Sequence, residues 1–210
     1  MRQQKNRKAR PVWAIIGDGF SEKIYFESLK TYENLPHLTI KPELPGSRKG
    51  GEFMGVFEKA GRLFDEGYDR VFCLIDMDTV LANGKLVNFQ SEKVKIERRG
   101  GTVLECNPCF EVWFLLHFQK TGRPFDDCDE ICRMLRKEVG FENYSKEKLY
   151  HQSQNFYEKL NPFLSIAAVP NAMFLEQNRE IQSPKYPRCE VYKLFFELGF
   201  IRELTLIPFG

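Results

Sequence analysis

Residues 71–78 read Val71-Phe72-Cys73-Leu74-Ile75-Asp76-Met77-Asp78, an apolar run that ends abruptly at two acidic residues. Because the run is apolar at every position rather than at alternate ones, it predicts a central strand of a parallel sheet, which helices cover on both faces. In open α/β sheets, ligands bind outside the carboxyl ends of the strands. The stretch therefore predicts both an α/β fold and the edge of the sheet at which a site would lie.

The same succession of strand and helix recurs on both sides of this run. A second fully apolar run, Val12 to Ile16, ends at Gly17-Asp18-Gly19, and Ser21 is expected to cap the helix that follows. Strands that alternate with helices predict a mostly parallel sheet flanked by helices. The other predicted elements of this part of the chain are strands at 38–40 and 102–104 and helices at 53–64 and 88–98.

The second half of the chain is expected to be mainly helical. Asn107-Pro108 predicts the start of a strongly apolar helix, Cys109 to Lys120, because asparagine is a good cap and proline suits the first helical turn. From about residue 124 the strand signals fade. Helices are predicted at 126–139, 145–160, 162–179 and 189–199. The expected organisation is a flexible basic arm at 1–10, an α/β core at 11–123 and a helical extension at 124–210 packed on that core.

Composition limits the class of protein more than its function. The chain has 210 residues, 42% hydrophobic and 29% charged, as in globular proteins of one domain, and its net charge of +2 identifies no partner. No apolar run approaches the roughly 20 residues of a membrane span, and the basic segment 1–10 does not resemble a secretory signal. We therefore expect a cytoplasmic protein without a membrane partner, whose six cysteines are reduced thiols.

Acidic residues follow the two most apolar strands. Asp18 follows the first, and Asp76 and Asp78 follow the run at 71–75. In an extended segment alternate side chains face the same way, so Asp76 and Asp78 are expected to approach one ion. Carboxylate oxygens suit hard cations such as Mg²⁺ or Mn²⁺. Spacing alone leaves a second interpretation equally open, in which these aspartates are ordinary turn residues.

Glu111 is a further candidate, because it falls in the first turns of the apolar helix predicted after Asn107. A carboxylate among such neighbours is costly to bury unless a metal, a cation or a hydrogen bond pairs with it. A catalytic role and a structural hydrogen bond are equally open from the residues alone. His117, nearly two turns later, is expected to be a hydrogen-bonded core residue.

Two pairs of basic residues are candidate contacts for nucleic-acid phosphates. Arg48 and Lys49 lie in a glycine-rich loop between a strand and a helix, and Arg98 and Arg99 end a predicted helix. A solvated surface loop is the favoured alternative for the first pair. The cysteines at 106, 109, 128 and 132 have spacings that suggest zinc only weakly, and we do not expect a zinc site.

Several segments together resemble the RloB-like family. Asp18-Gly19-Phe20-Ser21-Glu22 followed by Tyr25-Phe26 resembles its opening motif, Glu-Gly-x-Thr-Glu…Tyr-Phe, and Asp76-Met77-Asp78 resembles its Asp-x-Asp. Its most distinctive block is similar to Asn107-Pro108-Cys109-Phe110-Glu111-Val112-Trp113-Phe114-Leu115-Leu116-His117-Phe118. Weaker similarity continues at Tyr144-Ser145-Lys146 and at Ser183 to Tyr192, so the resemblance spans roughly residues 12–195.

The resemblance implies a Toprim-like fold that binds Mg²⁺ or Mn²⁺ and acts on phosphodiesters. Asp76 and Asp78 would hold the ion, while Asp18 takes the place of a glutamate that acts as general acid or base or as a further ligand. Asp18 is one methylene shorter than glutamate, and Glu22 is the residue that could contribute in its place. Glu111 completes the set of catalytic candidates.

Two functions from different classes are compatible with this resemblance. The first is a magnesium-dependent nuclease that cleaves DNA or RNA in phage defence by abortive infection. The second, suggested by the shorter Asp18, is a Toprim-like module without catalysis that binds nucleic acid, a nucleotide or a partner protein of a defence or restriction system.

Overall fold

The computed structural model describes residues 11–17, 19–41, 52–147, 150, 153–178 and 185–201, with the side chain of Glu52 excluded. Several sequence predictions lie outside these residues: the basic arm at 1–10, Asp18, and the loop that carries Arg48 and Lys49.

A five-stranded sheet forms the centre of the fold, in the order β2-β1-β3-β4-β5. The first four strands are parallel to one another, and β5 is antiparallel to β4. Because β2 and β3 lie on opposite sides of β1, the direction of the crossovers reverses between β1 and β3, which is where sheets of this kind bind ligands. The strands are β1 (Trp13–Ile16), β2 (Leu38–Ile40), β3 (Arg70–Asp76), β4 (Gly101–Asn107) and β5 (Arg188–Cys189).

Helices cover both faces of the sheet. The α-helices are α1 (Phe20–Tyr32), α2 (Glu52–Asp65), α3 (Met77–Ala82), α4 (Leu86–Arg98), α5 (Glu111–Leu115), α6 (Cys128–Leu135), α7 (Phe156–Leu160), α8 (Val169–Gln177) and α9 (Tyr192–Glu197). A 3₁₀ turn (Asn161–Phe163) and a π-helical turn (Leu164–Ala168) join α7 to α8. The prediction of an α/β fold with a mostly parallel sheet is confirmed.

Alternation along the strands divides the core into two parts. Ala14 and Ile16 of β1 face α2, α3 and α4, whereas Ile15 faces α1, α5 and the helices of the second half of the chain. The second part is the larger and is rich in aromatic side chains, with Trp113 and Phe114 of α5 completely buried in it. The fully apolar strands are thus explained by burial on both sides.

Three local predictions are wrong, each because tertiary contacts override a local signal. Ser21 does not cap α1: it lies inside the helix and is buried, and Gly19 occupies the cap position. Asp78 is not in an extended segment with Asp76 but in the first turn of α3. Asn107 ends β4 and donates to the carbonyl oxygen of Tyr186, so the helix predicted at 109–120 shortens to Glu111–Leu115. The peptide bond between Asn107 and Pro108 is cis.

The second half of the chain is less regular than predicted, and it contributes a strand. The helices expected at 126–139, 145–160 and 189–199 form only in part, as α6, α7 and α9. Within that half, β5 pairs with β4, where Arg188 contacts the buried carboxylates of Glu105 and Glu190. A two-residue strand held by ion pairs carries too little periodicity to be predicted.

None of the helices in the described part of the chain has both the length and the apolar character needed to cross a bilayer.

Candidate functional site

The candidate site lies at the carboxyl edge of the sheet. Three parallel neighbours, β1, β3 and β4, end there at Ile16, Asp76 and Asn107. The segments that follow them supply the predicted acidic residues, with Glu22 in the first turn of α1, Asp78 in the first turn of α3, and Glu111 at the start of α5. Parallel strands therefore bring together residues that are far apart in the chain.

Residues 108–110, which join β4 to α5, hold both aspartates of the Asp-x-Asp pair. The backbone N–H of Phe110 donates to Oδ1 of Asp76 at 2.8 Å, and the backbone N–H of Asp78 donates to the carbonyl oxygen of Pro108 at 3.0 Å. Both aspartate side chains are partly buried. The backbone of residues 108–110, which begin the distinctive block of the sequence, therefore bonds to both aspartates. We call these two hydrogen bonds the backbone clamp.

The carboxylate of Glu22 is buried against the glycines that follow β1. Its side chain is only 4% exposed. A methyl group on Gly19 would overlap this carboxylate, and one on Gly17 would lie 3.4 Å from Oε1. The absence of a side chain at Gly19 therefore leaves the space that the Glu22 carboxylate occupies, whereas a methyl group on Gly17 would make only an ordinary van der Waals contact.

Asp76 and Glu22 act on a common neighbour, the buried thiol of Cys106. A hydrogen bond with Cys189 and burial raise the pKa of Cys106, and the negative charges of Asp76 and Glu22 raise it further. Asp76 is the register partner of Cys106 across β3 and β4, so this carboxylate and the thiol lie at the same end of the sheet. Two acidic groups that are 54 positions apart in the sequence thus share one end of the sheet.

Glu111 is the centre of a buried polar cluster. Its side chain is 1% exposed, and Oε1 accepts hydrogen bonds from Ser21 Oγ at 2.6 Å and from the hydroxyl of Tyr144 at 2.8 Å. The ammonium of Lys146 lies 3.3 Å from Oε2. These contacts satisfy a carboxylate that would otherwise be costly to bury, and they bind α5 to α1 and to the segment between α6 and α7.

Lys146 reaches the cluster from the surface. Its side chain is 47% exposed. Burial alone would lower the pKa of Lys146, but the charges of Glu111 and then Asp76 outweigh it and raise that pKa above its ordinary value. The ammonium is therefore charged at neutral pH and forms an ion pair with the Glu111 carboxylate.

From the sequence, Ser21 is expected only to cap a helix. Tyr144 and Lys146 are part of the family resemblance, but the sequence predicts no role for either. The signal that could have found them is Glu111 itself, since a buried carboxylate requires donors and the Tyr144-Ser145-Lys146 segment offers a hydroxyl and an ammonium.

Cys109 and Cys128 form a disulfide, with their Cα atoms 5.7 Å apart. The expectation that all six cysteines are free thiols is therefore wrong for this pair, because the turn before α5 brings Cys109 against the first residue of α6. The sulfur of Cys128 lies 3.2 Å from Oε2 of Glu111, and as a disulfide sulfur it has no proton to donate there. The other four cysteines, at 73, 106, 132 and 189, are free and buried.

Cys109, Glu111 and Cys128 bring their potential ligand atoms within 4.8 Å of one another, a geometry found for no other three His, Cys, Asp or Glu residues in the part of the chain that the structure describes. Two of these three potential ligand atoms, the sulfurs of Cys109 and Cys128, are joined in the disulfide.

The basic candidates are not brought to this edge. Arg98 and Arg99 lie at the C-terminal end of α4, one residue before β4 and at the opposite end of that seven-residue strand from the site. Arg99 pairs with Asp65 at 2.7 Å. Seven residues of strand correspond to about 20 Å. Arg48 and Lys49 lie outside the described residues, as does Asp18.

No curated protein and no solved structure matches the chain significantly. The family model described as RloB-like protein matches residues 13–198, a range that includes β1 to β5, the aspartate pair and the Glu111 cluster. Since the match covers most of the sequence, the chain belongs to the RloB-like family.

Proposed function

We propose that this protein is a nuclease that requires Mg²⁺ or Mn²⁺ and cleaves phosphodiester bonds of nucleic acid in phage defence. The observation that supports the proposal is that the segments bearing Asp76, Asp78 and Glu22 all begin at the carboxyl edge of the sheet, beside the reversal of strand order. A nucleic-acid substrate, the divalent ion and the defence role follow from the family resemblance, with a cytoplasmic location expected.

The donor set suits a hard divalent cation. The chain offers carboxylate oxygens here, and Mg²⁺ in phosphate-handling proteins is held by one or two carboxylates together with waters and substrate phosphates. Carboxylates near one another repel unless a cation offsets their charge. Asp76 and Asp78 would hold the ion, with Asp18 or Glu22 as a further ligand or as the group that takes and returns a proton.

The metal would supply charge stabilisation at the phosphoryl oxygen and lower the pKa of a water. The residues of the chain have distinct tasks around it. Asp76 is kept in place by the Phe110 amide, so its orientation does not depend on the substrate. The half-exposed ammonium of Lys146 would bind a phosphate oxygen of the substrate and offset the negative charge that develops on it during cleavage.

Glu111 takes a different part from the catalytic one predicted from the sequence. Its oxygens already accept from Ser21 and Tyr144 and pair with Lys146, and its side chain is 1% exposed. We therefore assign it as a positioning residue that orients Lys146 and Tyr144 rather than as a group that meets the substrate.

The test is a cleavage assay with matched variants. Labelled tRNA, single-stranded DNA and duplex DNA are incubated with the protein and with Mg²⁺ or Mn²⁺. The double variant Asp76→Asn/Asp78→Asn keeps the side-chain shapes and hydrogen-bond acceptors but removes both charges. Glu58→Gln, an exposed position on α2, removes one charge away from the site and is the control.

Cleavage that needs the metal, persists in Glu58→Gln and is lost in the double variant supports the proposal. Binding of nucleic acid or nucleotide without cleavage, equal in all three proteins, overturns it in favour of the module without catalysis.

A further inference from the structure

The Cys109–Cys128 bond ties the backbone clamp on the aspartates to α6. Cys109 lies between Pro108, whose carbonyl oxygen accepts from Asp78, and Phe110, whose amide donates to Asp76. Its partner is the first residue of α6, 19 positions further along the chain. The disulfide therefore restrains the short segment whose backbone bonds to both members of the Asp-x-Asp pair.

The same bond also changes the surroundings of Glu111. The sulfur of Cys128 lies 3.2 Å from Oε2 of Glu111. In the disulfide this sulfur only contacts the carboxylate, whereas a reduced thiol has a proton to donate to it. Reduction thus removes the cross-link to Cys109 and gives Cys128 a proton to donate to Glu111.

We propose that Cys109 and Cys128 are a reversible thiol modification site, whose oxidation fixes residues 108–110 and with them the aspartate pair. For its effect on metal binding, this inference rests on the proposed function. The cross-link itself and its effect on the backbone clamp do not.

The chemistry balances with glutathione disulfide as the oxidant. Cys128 is the more accessible of the two residues, since it is 8% exposed and Cys109 is not exposed at all. The Cys128 thiolate attacks glutathione disulfide, forming a mixed disulfide and releasing one glutathione thiolate. The Cys109 thiolate then attacks the Cys128 sulfur, forming the intramolecular bond and releasing the second glutathione thiolate. Two thiol protons and two electrons leave the protein.

The first measurement follows the bond. The full chain is equilibrated in glutathione buffers of increasing oxidised fraction, quenched in acid, alkylated and digested. We expect a peptide pair joined through Cys109 and Cys128, with four alkylated cysteines at the oxidising end and six at the reducing end. Cys132→Ser, one turn further along α6, should keep the cross-link, whereas Cys109→Ser should lose it.

The second measurement follows the site in both redox states. Amide exchange detected by NMR should show that the N–H groups of Asp78 and Phe110 exchange faster after reduction. The Kd for Mn²⁺ should rise about tenfold, as for loss of other groups that orient metal ligands. If neither state binds Mn²⁺, the proposed function fails and the amide exchange alone decides this inference.

Three results would overturn the proposal. The cross-link does not form at any glutathione ratio, or it forms and the two amides exchange at the same rate in both states. The third is that the reduced protein takes up one Zn²⁺ per chain and that zinc, rather than oxidation, protects these amides.

Discussion

The ammonium of Lys146 lies 3.3 Å from Oε2 of Glu111, across a sequence separation of 35 residues. Glu111 begins α5 directly after the sheet, and Lys146 comes from the segment between α6 and α7. The second half of the chain therefore does more than cover the sheet, because it supplies the cation and the Tyr144 hydroxyl that satisfy the buried carboxylate.

Substitution of Lys146 should separate metal binding from catalysis. In Lys146→Ala the negative charges of Asp76 and Glu111 lose a nearby cation, so Mn²⁺ affinity should stay equal or increase. Cleavage should fall about a hundredfold, as for loss of one charge-stabilising donor. Lys146→Arg should recover part of the rate, and Lys137→Ala, at an exposed position, should change neither quantity. Loss of metal affinity together with cleavage in Lys146→Ala would contradict this role.

Gly19 offers a way to displace the Glu22 carboxylate without touching a charge. The backbone at Gly19 is extended, with φ of −103° and ψ of 158°, so alanine fits the conformation. Its methyl group would overlap the Glu22 carboxylate, which is the flexible end of its side chain and is able to move. We expect the free energy of unfolding of Gly19→Ala to lie within about 1 kcal/mol of the parent value. Its affinity for Mn²⁺ should be about tenfold weaker.

The control is Gly55→Ala, where the added methyl group meets open space on α2. It should not alter Mn²⁺ affinity. Equal affinity in both alanine variants would show that Glu22 has no part in the metal site.

His117 should make the protein sensitive to mild acid. Burial lowers the pKa of His117 to about 4, although hydrogen bonds to the carbonyl oxygens of Trp113 and Phe114 act in the opposite direction. In the unfolded chain the pKa is near its ordinary value of about 6.5. Between these values the unfolded state binds the additional proton, so stability decreases as the pH falls through this window.

From pH 7 to pH 5 the His117 contribution to the free energy of unfolding should fall by about 2 kcal/mol. Urea unfolding of His117→Gln at the same two pH values should show a correspondingly smaller loss, because glutamine does not titrate. If the free energy of unfolding fell equally in the two proteins between pH 7 and pH 5, His117 would not be buried in its neutral form.

The strands and the acidic edge are predictable because their signals are local. The run at 71–75 is apolar at every position, which requires burial on both faces, and its end marks the carboxyl edge where Asp76 lies. The location of Asp78 within a helix is not predictable in this way, since its amide bonds to Pro108, 30 residues away. Alternation in a strand and the first turn of a helix look alike over three residues.

The Glu111 cluster and the disulfide depend on contacts that no local pattern encodes. Burial of Glu111 predicts that it has partners, but only the packing of α1, α5 and α6 selects Ser21, Tyr144 and Lys146. The pairing of Cys109 with Cys128 likewise follows from the docking of α6 against the start of α5. For this reason the cysteine spacings, from which six free thiols are expected, give no signal for the bond between Cys109 and Cys128.

Calorimetric titration of Mn²⁺ into the wild-type protein and into Asp76→Asn/Asp78→Asn tests the central claim most directly, with Glu58→Gln, which removes one charge away from the site, as the control. Saturable uptake by the wild type and by Glu58→Gln, with none by the double variant at unchanged thermal stability, is the expected result. Equal uptake by all three proteins, or none by the wild type, would contradict a metal site built from the acidic ends of the strands.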